Sequence, residues 1–197
     1  MTQAVVLIGP AAVGKGEVLK RFRGIAHCIE VKALILQRMN EDPNFQAEVE
    51  ELISLGQLLD DSVINKMVAD AIDKVPHFHL LAIDGAGRSL VQVEFLREHL
   101  LKLGYDPNFV IFSMDDKEEF YLLCESRLKV RMAEIMPGEQ RTDDKAHRYR
   151  FDLYMDSIDH IEAFLLRKKS TVHFIDPSGS KEEIFTAIYV NTGAVEV

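Results

Sequence analysis

The chain of 197 residues contains no tryptophan, only two cysteines and comparatively little positive charge. The two cysteines, Cys28 and Cys124, lie in apolar stretches without metal-ligand spacing, which favours buried, reduced thiols and argues against a cysteine-based metal site. The 23 lysines and arginines face 32 acidic residues, and the resulting formal net charge of −9 argues against a general nucleic-acid-binding protein. The sequence also lacks an apolar run of membrane-spanning length and a cationic segment before its first apolar run. We therefore expect a cytoplasmic protein without a signal peptide or a membrane partner.

The residues that are present indicate a globular α/β protein. A length of 197 residues with 47% hydrophobic content suits one domain with a sizeable core. Short apolar runs alternate with segments of helical period, which predicts a parallel sheet flanked by helices. The predicted strands are Ala4–Ile8, Cys28–Val31, Leu80–Ile83, Phe109–Phe112 and Val172–Ile175. The predicted helices cover residues 16–23, 44–55, 61–73, 89–102, 117–131, 143–168 and 181–190.

A glycine-rich segment follows the first predicted strand. Residues 9–17 read Gly-Pro-Ala-Ala-Val-Gly-Lys-Gly-Glu. A strand that leads into such a loop and then into a helix wraps backbone N–H groups around a phosphate, and the helix dipole favours the bound anion. The lysine adds a positive charge near the outer phosphates of a nucleotide. The residues expected to contact phosphate are Gly9, Ala12, Val13, Gly14, Lys15, Gly16 and Glu17.

A second motif follows the strand Leu80–Ile83. Asp84 comes directly after it, and a carboxylate at a strand end near a phosphate loop suits the water shell of Mg²⁺. Arg88 presents a forked donor at the start of a helix, where the dipole disfavours a cation, so an anionic partner is expected. Gln92 can pair with the edge of a nucleotide base. Because ligands of doubly wound sheets bind at the carboxyl ends of the strands, we expect both motifs to meet in one crevice.

These motifs resemble those of the adenylate kinase family of nucleoside monophosphate kinases. That family has Gly-x-Pro-Gly-x-Gly-Lys-Gly-Thr in its phosphate loop and Asp-Gly-Phe-Pro-Arg-x-x-x-x-Gln after a later strand. Residues 56–61 resemble its Gly-x-Leu-Val-x-Asp segment, and residues 174–180, with Gly179, resemble the segment beside the ATP adenine. The resemblance extends over nearly the whole chain and implies a P-loop NTPase-type parallel sheet of five strands flanked by helices.

The resemblance also implies how the single kinase domain is divided. Residues 1–31, 61–131 and 143–190 correspond to the core. A small helical insert near residues 32–60 would bind the monophosphate, and residues 132–142 would form a short lid. The lid contains no cysteine, so the zinc-holding lid of some relatives is excluded and no zinc is expected.

Several arginines match the cations that surround the transferred phosphoryl group in this family, whose chemistry depends on positioning and charge neutralisation. Arg127 and Arg131 match the Arg-x-x-x-Arg pattern before the lid, and Arg141 matches the arginine after it. Arg150 fits the next position, because it lies four residues before a tyrosine. Arg148 is the alternative, since the preceding gap is about two residues short.

The acceptor side departs most from the family pattern. An ungapped count from Lys15 places Arg38 at the position of the arginine that binds the acceptor phosphate, whereas an earlier deletion would place Leu36 there. Ala33 and Ile35 replace the threonine and the aspartate of the family signature. A more apolar base pocket or a different acceptor would follow.

Three further replacements concern the core motifs. Glu17 stands in place of a hydroxyl that helps bind phosphate and Mg²⁺ in the family. It would join the metal site, oppose the phosphates or point to solvent, as acidic residues in a first helical turn often do. Ala12 replaces a glycine, which is tolerable only with negative φ. Gly87 replaces the proline before Arg88 and leaves that arginine less preorganised.

The activity implied by the resemblance is transfer of the ATP γ-phosphoryl group to a nucleoside monophosphate, with AMP as the first candidate. Lys15 would bridge the outer phosphates, Arg38 and Arg88 would bind the acceptor phosphate, and Gln92 its base. Asp84 would hold Mg²⁺ through water, with Glu17 as a candidate second ligand. The expected partners are ATP and the monophosphate, with no nucleic acid, and a monomer is expected. Two alternatives remain: a nucleotide-binding protein without turnover, and a P-loop kinase for another small acceptor.

Overall fold

The structure, a computed structural model, describes residues 2–54, 57–76, 79–134 and 147–194. The strands are β1 (Thr2–Ile8), β2 (His27–Glu30), β3 (Leu81–Asp84), β4 (Tyr105–Phe112) and β5 (Thr171–Ile175). The helices are α1 (Lys15–Phe22), α2 (Val31–Glu41), α3 (Pro43–Ser54), α4 (Asp61–Ile72), α5 (Leu90–Lys102), α6 (Lys117–Glu134), α7 (His147–Arg167) and α8 (Lys181–Thr192).

The five strands form one parallel sheet in the order β2-β3-β1-β4-β5. Strand β1 lies in the centre, and its residues from Ala4 to Ile8 are buried because the sheet is covered by helices. The predicted fold class, a five-stranded parallel α/β sheet of the P-loop type, is confirmed.

The carboxyl ends of the strands lie at one edge of the sheet. Leu7 of β1 is in register with Asp84 of β3, and Asp84 is in register with Glu30 of β2. The segment of residues 9–14, called the phosphate loop from here on, leaves β1 at this edge and leads into α1. The strand register therefore places the two nucleotide motifs of the sequence side by side.

The helical part differs from the sequence prediction in the region after β2. Val31, predicted as the last residue of a strand, is the first residue of α2. Helix α2 was not predicted as a separate helix, because its apolar residues at 33–36 form a continuous run without the 3.6-residue period. Its buried partner is α3, whose Phe45 and Val49 face the interior.

Two other predicted boundaries fall partly outside the described residues. Helix α6 continues to Glu134, so the first residues of the predicted lid are helical, and residues 135–142 lie outside the described part. Residues 143–146 of the predicted long helix also lie outside the described part, and the described part of this helix is α7. Among the described residues, no helix is both long enough and apolar enough to cross a lipid bilayer.

Candidate functional site

The phosphate loop is closed by the side chain of Lys15. Its ammonium group donates to the carbonyl oxygens of Gly9 at 2.7 Å and Pro10 at 2.8 Å. Gly14, the residue before α1, has φ of +116°, which glycine adopts without the steric cost that other residues pay. A Cβ at Gly9 would lie 3.0 Å from Val13 Cγ1 and 3.1 Å from Phe112 Cβ, so any larger residue there would have to displace its neighbours. The loop thus has the tight path that brings backbone N–H groups towards an anion.

Ala12 lacks the negative φ that the replacement of glycine by alanine was expected to require. Its φ is +65°, in the left-handed region, where a Cβ crowds the following carbonyl oxygen. The replacement of glycine by alanine therefore leaves a strained residue within the phosphate loop.

Charged groups from β3, from the turn before α5 and from α7 affect the pKa of Lys15. Burial lowers the pKa of its ammonium group, and the carboxylate of Asp84 acts in the opposite direction. Arg88 and Arg150 lower the same pKa further by repulsion. The ammonium group of Lys15 thus interacts electrostatically with one carboxylate and two guanidinium groups.

Asp84 has the environment of a metal-site carboxylate. Its Oδ1 atom is buried and makes no hydrogen bond to any residue in the described ranges. A buried carboxylate oxygen of this kind is costly unless a ligand or water binds it. Mg²⁺ prefers hard oxygen ligands and retains several waters, so the donor present fits a hydrated magnesium ion.

Gln92 and Arg88 are linked through the start of α5. Gln92 is 3% exposed, and its amide oxygen accepts from the backbone N–H of Arg88 at 3.0 Å. Its amide nitrogen donates to Asp61 Oδ1 at 2.7 Å, while Asp61 Oδ2 accepts from Ser89 Oγ at 2.7 Å. Asp61 and Ser89 were not assigned to the site from the sequence. The signal that could have found them is that Asp61 ends the segment resembling Gly-x-Leu-Val-x-Asp.

Gly87, which precedes Arg88, has a steric reason to be glycine. A Cβ at this position would lie 2.9 Å from Ile8 Cγ1 and 3.2 Å from Ile8 Cδ1. The proline of the family pattern has a Cβ and would press on the last residue of β1. The close approach of this turn to the sheet therefore accounts for the missing proline.

Arg127 connects the phosphate loop with the turn after β5. Its guanidinium group donates to the carbonyl oxygens of Val13 and Pro177, each at 2.6 Å. Arg131 lies one turn further along α6 and is half-buried. Arg141 lies outside the described residues.

The two candidate arginines of α7 occupy different surroundings. Arg148 pairs with Glu118 at 3.4 Å and with Asp152 at 3.3 Å, and its guanidinium group stacks on Tyr121. Arg150 acts on Lys15, as described above. Arg148 is thus held by two carboxylates at the surface, whereas Arg150 interacts electrostatically with Lys15.

Arg38, predicted to bind the acceptor phosphate, lies on α2 with its guanidinium carbon 4.0 Å from the centroid of the Phe45 ring. Phe45 is buried, so this contact holds Arg38 against α3. Leu36, the alternative residue at this position, is exposed.

Glu17 turns towards α8. Its carboxylate accepts from Lys20 at 2.6 Å and from Lys181 at 3.0 Å, and these hydrogen bonds lower its pKa. Lys181 was not considered in the sequence analysis. It follows the turn that contains Gly179, where a Cβ would lie 3.4 Å from Glu183 Oε2. The negative charge of Glu17 is thus neutralised by lysines within the protein.

No protein-family model matches the chain. Curated relatives match over most of its length. The chain is 29% identical to the adenylate kinase of Tropheryma whipplei over 189 residues, which cover 93% of this chain and 94% of the relative. It is 24% identical over 198 residues to the adenylate kinase of Mesomycoplasma hyopneumoniae strain 7448, covering 91% and 93% of the two chains. For the adenylate kinase of Bartonella henselae the identity is 25% over 169 residues, covering 84% and 87%.

Proposed function

Because the chain belongs to the adenylate kinase family, we propose that it transfers the γ-phosphoryl group of ATP to a nucleoside monophosphate, with AMP as the first candidate acceptor. The observation that carries the proposal is the phosphate loop at the carboxyl edge of the sheet, where Lys15 donates to the carbonyl oxygens of Gly9 and Pro10 and the end of β1 is in register with Asp84. Asp84, Arg88 and Arg150 also interact electrostatically with the ammonium group of Lys15. Phosphoryl transfer spreads negative charge over the transferred group, and convergent cations stabilise that charge.

The roles proposed for Lys15, Arg127 and Arg150 are supported by the contacts and electrostatic interactions described above, and those of Arg131 and Arg141 by the resemblance to the family pattern. Lys15 would contact the outer phosphates of ATP from the phosphate loop, and Arg150 would neutralise the transferred group together with Arg127. Arg131 and Arg141 would join them from the two ends of the lid. An oxygen of the acceptor phosphate would form a bond to the γ-phosphorus while the bond from that atom to the β–γ bridging oxygen breaks, giving ADP and a nucleoside diphosphate. No general base is needed, because the acceptor phosphate is already ionised.

On the acceptor side, Arg88 and Arg38 would bind the acceptor phosphate, and Gln92 would contact the base. Asp84 would hold Mg²⁺ through water, and this ion would supply charge neutralisation on the phosphate oxygens. Glu17 would contribute little to such a site, because its carboxylate already accepts hydrogen bonds from Lys20 and Lys181.

The test is ADP formation from ATP and Mg²⁺ in the presence of AMP, of each other common monophosphate, and of no acceptor. Replacement Lys15→Met should lower kcat/KM by a factor of about 10 to 100 or more, because charge-assisted hydrogen bonds to phosphate are lost. The matched control is Lys66→Met, which removes an exposed lysine of α4 that pairs with Asp70 at the surface. Equal turnover by wild type and Lys15→Met would refute the phosphate-loop assignment. Turnover with a single monophosphate would identify the acceptor.

A second candidate is nucleotide binding without turnover, and the replacement of the family hydroxyl by Glu17 favours it. The variant Glu17→Thr separates the two candidates. An inactive wild type with an active Glu17→Thr variant would support the binding protein. Activity of the wild type at a level similar to Glu17→Thr would rule it out.

A further inference from the structure

Asp61, the first residue of α4, holds two side chains at the start of α5 at once. Its Oδ1 atom accepts from Gln92 Nε2 at 2.7 Å and its Oδ2 atom accepts from Ser89 Oγ at 2.7 Å. Ser89 Oγ in turn accepts from the backbone N–H of Gln92 at 3.2 Å and so caps α5. Both oxygens of one carboxylate therefore act on the same turn of the neighbouring helix.

The contacts determine which way the Gln92 amide faces. Its nitrogen lies against a carboxylate, which only accepts hydrogen bonds, and its oxygen lies against the backbone N–H of Arg88, which only donates. A flip of the amide would place the amide oxygen against the carboxylate of Asp61 and the amide nitrogen against the N–H of Arg88. Because Gln92 is 3% exposed, water could not compensate for these two unfavourable contacts.

The same amide restrains the backbone of Arg88. Residues 85–87, which lead into Arg88, are all small, and Gly85 has φ of +92°, so the turn itself contains no rigid residue. The hydrogen bond from Arg88 N–H to Gln92 Oε1 supplies the restraint that proline provides in the family pattern. The link thus runs from Asp61 through Gln92 to the backbone of Arg88.

We propose that Asp61 is a positioning residue of the acceptor side, which fixes the orientation of the Gln92 amide and the backbone of Arg88. This inference rests on the proposed function, because Arg88 and Gln92 are the residues assigned there to the acceptor phosphate and base. With one N–H of Gln92 committed to Asp61 and one lone pair to Arg88, a base meets the remaining N–H and lone pair in a single fixed order. Asp61 thereby sets both the affinity for the acceptor and the preference among bases.

The experiment compares Asp61→Ala and Asp61→Asn with the wild type. The KM for AMP and for ATP, the rates with other monophosphates, and AMP binding by calorimetry without ATP are measured. Asp61→Ala should raise the KM and the dissociation constant for AMP about tenfold or more, since a hydrogen bond to a charged group is lost. It should also reduce the difference in rate between AMP and the other monophosphates. The KM for ATP should stay within about twofold of the wild-type value. A general loss of stability would instead change the KM values for ATP and AMP alike. Asp61→Asn should restore most of the AMP affinity, because its amide oxygen can still accept from Gln92.

The matched control is Asp60→Ala. Asp60 caps α4 through the backbone N–H of Ser62 at 2.7 Å, so its loss perturbs the same helix start without touching Gln92. Unchanged AMP affinity in Asp61→Ala, or an equal effect of Asp60→Ala, would overturn the inference and leave the proposed function standing. A wild type that binds no monophosphate and transfers no phosphoryl group would refute the proposed function, and with it the positioning role.

Discussion

Among single residues, Ala12 combines a functional position with an unfavourable backbone conformation. Its φ of +65° costs a residue with a Cβ about 1–2 kcal/mol. Ala12→Gly removes this cost but raises the entropy of the unfolded chain, which offsets about 0.4–1 kcal/mol. We expect a net gain in the free energy of unfolding of up to about 1.5 kcal/mol, measured by urea denaturation.

Ala11→Gly is the control for Ala12→Gly. Ala11 belongs to the same loop and is not among the described residues with positive φ. Ala11→Gly raises the entropy of the unfolded chain but relieves no backbone strain. This variant should therefore be less stable than the wild type by about 0.5–1 kcal/mol. Equal effects of the two substitutions would contradict the assigned conformation of Ala12.

Cys124 gives the fold a pH dependence at high pH. Burial raises the pKa of its thiol to about 12, from an ordinary value of 9.0, although Lys15 and Arg127 oppose the shift. A group whose pKa is raised by folding contributes stability that is complete below its unfolded pKa and is lost as the pH rises towards the folded pKa. Relative to Cys124→Ala, the wild type should therefore lose up to about 1.4 kcal/mol per pH unit above pH 9.

The measurement is urea unfolding of both proteins between pH 8 and about 10.5, where the difference between them isolates the thiol. In the same range, Cys124 of the folded protein should resist alkylation, because the thiolate is the reactive form. A constant difference between the two proteins across this range would show that the thiol does not ionise as described.

At the level of elements, Arg127 joins α6 to two segments that are distant in sequence. Arg127→Met leaves the carbonyl groups of Val13 and Pro177 without this donor, and both residues are buried. We expect a loss of about 1–3 kcal/mol in the free energy of unfolding and faster amide hydrogen exchange in residues 176–180. Lys129→Met is the control on the same helix, since Lys129 is exposed and pairs only with Glu125 among the contacts described for it. Equal exchange rates in the two variants would mean that Arg127 does not hold the turn.

The elements themselves were largely predictable from the sequence. Strands β1 and β4 contain the apolar runs Ala4–Ile8 and Phe109–Phe112, and such runs bounded by turn residues predict buried parallel strands. Helix α2 was missed, because its apolar run lacks helical period.

The contacts between elements were not predictable in the same way. The hydrogen bonds of Arg127 with Val13 and of Gln92 with Asp61 join residues 114 and 31 positions apart. They depend on how helices pack across the sheet edge, which local pattern does not determine. The sequence therefore indicated the residues of the candidate site better than it indicated the partners that orient them.

For the whole molecule, nucleotide binding should be visible as stability even without turnover. A ligand that binds only the folded state at 100 times its dissociation constant adds about 2.7 kcal/mol. For a chain of this size, that corresponds to a rise in Tm of about 5–10 °C. We expect this rise for the wild type with ATP and Mg²⁺. If Lys15→Met weakens ATP binding by a factor of about 10 to 100, the rise should fall to about half or less of the wild-type value at the same ATP concentration. Thermal unfolding followed by fluorescence of an added dye measures both, with Lys66→Met as the control. An equal rise in Lys15→Met would place ATP binding outside the phosphate loop.

The net charge of −9 also concerns the whole molecule, because both proposed substrates are anions. Electrostatic attraction of these substrates then depends on local cations such as Lys15 and Arg88, and not on the net charge of the protein.

The position of β1 in the middle of the sheet constrains how the chain is made. β1 leaves the ribosome before the other four strands, yet its two neighbours are β3, at Leu81–Asp84, and β4, at Tyr105–Phe112. During synthesis, both edges of this apolar strand can therefore be paired only after β4, which ends at Phe112, has been made. Such long-range parallel pairing slows folding and leaves an aggregation-prone strand exposed in the nascent chain. Shielding of β1 by a chaperone would have its greatest effect in that interval, before the nucleotide site exists.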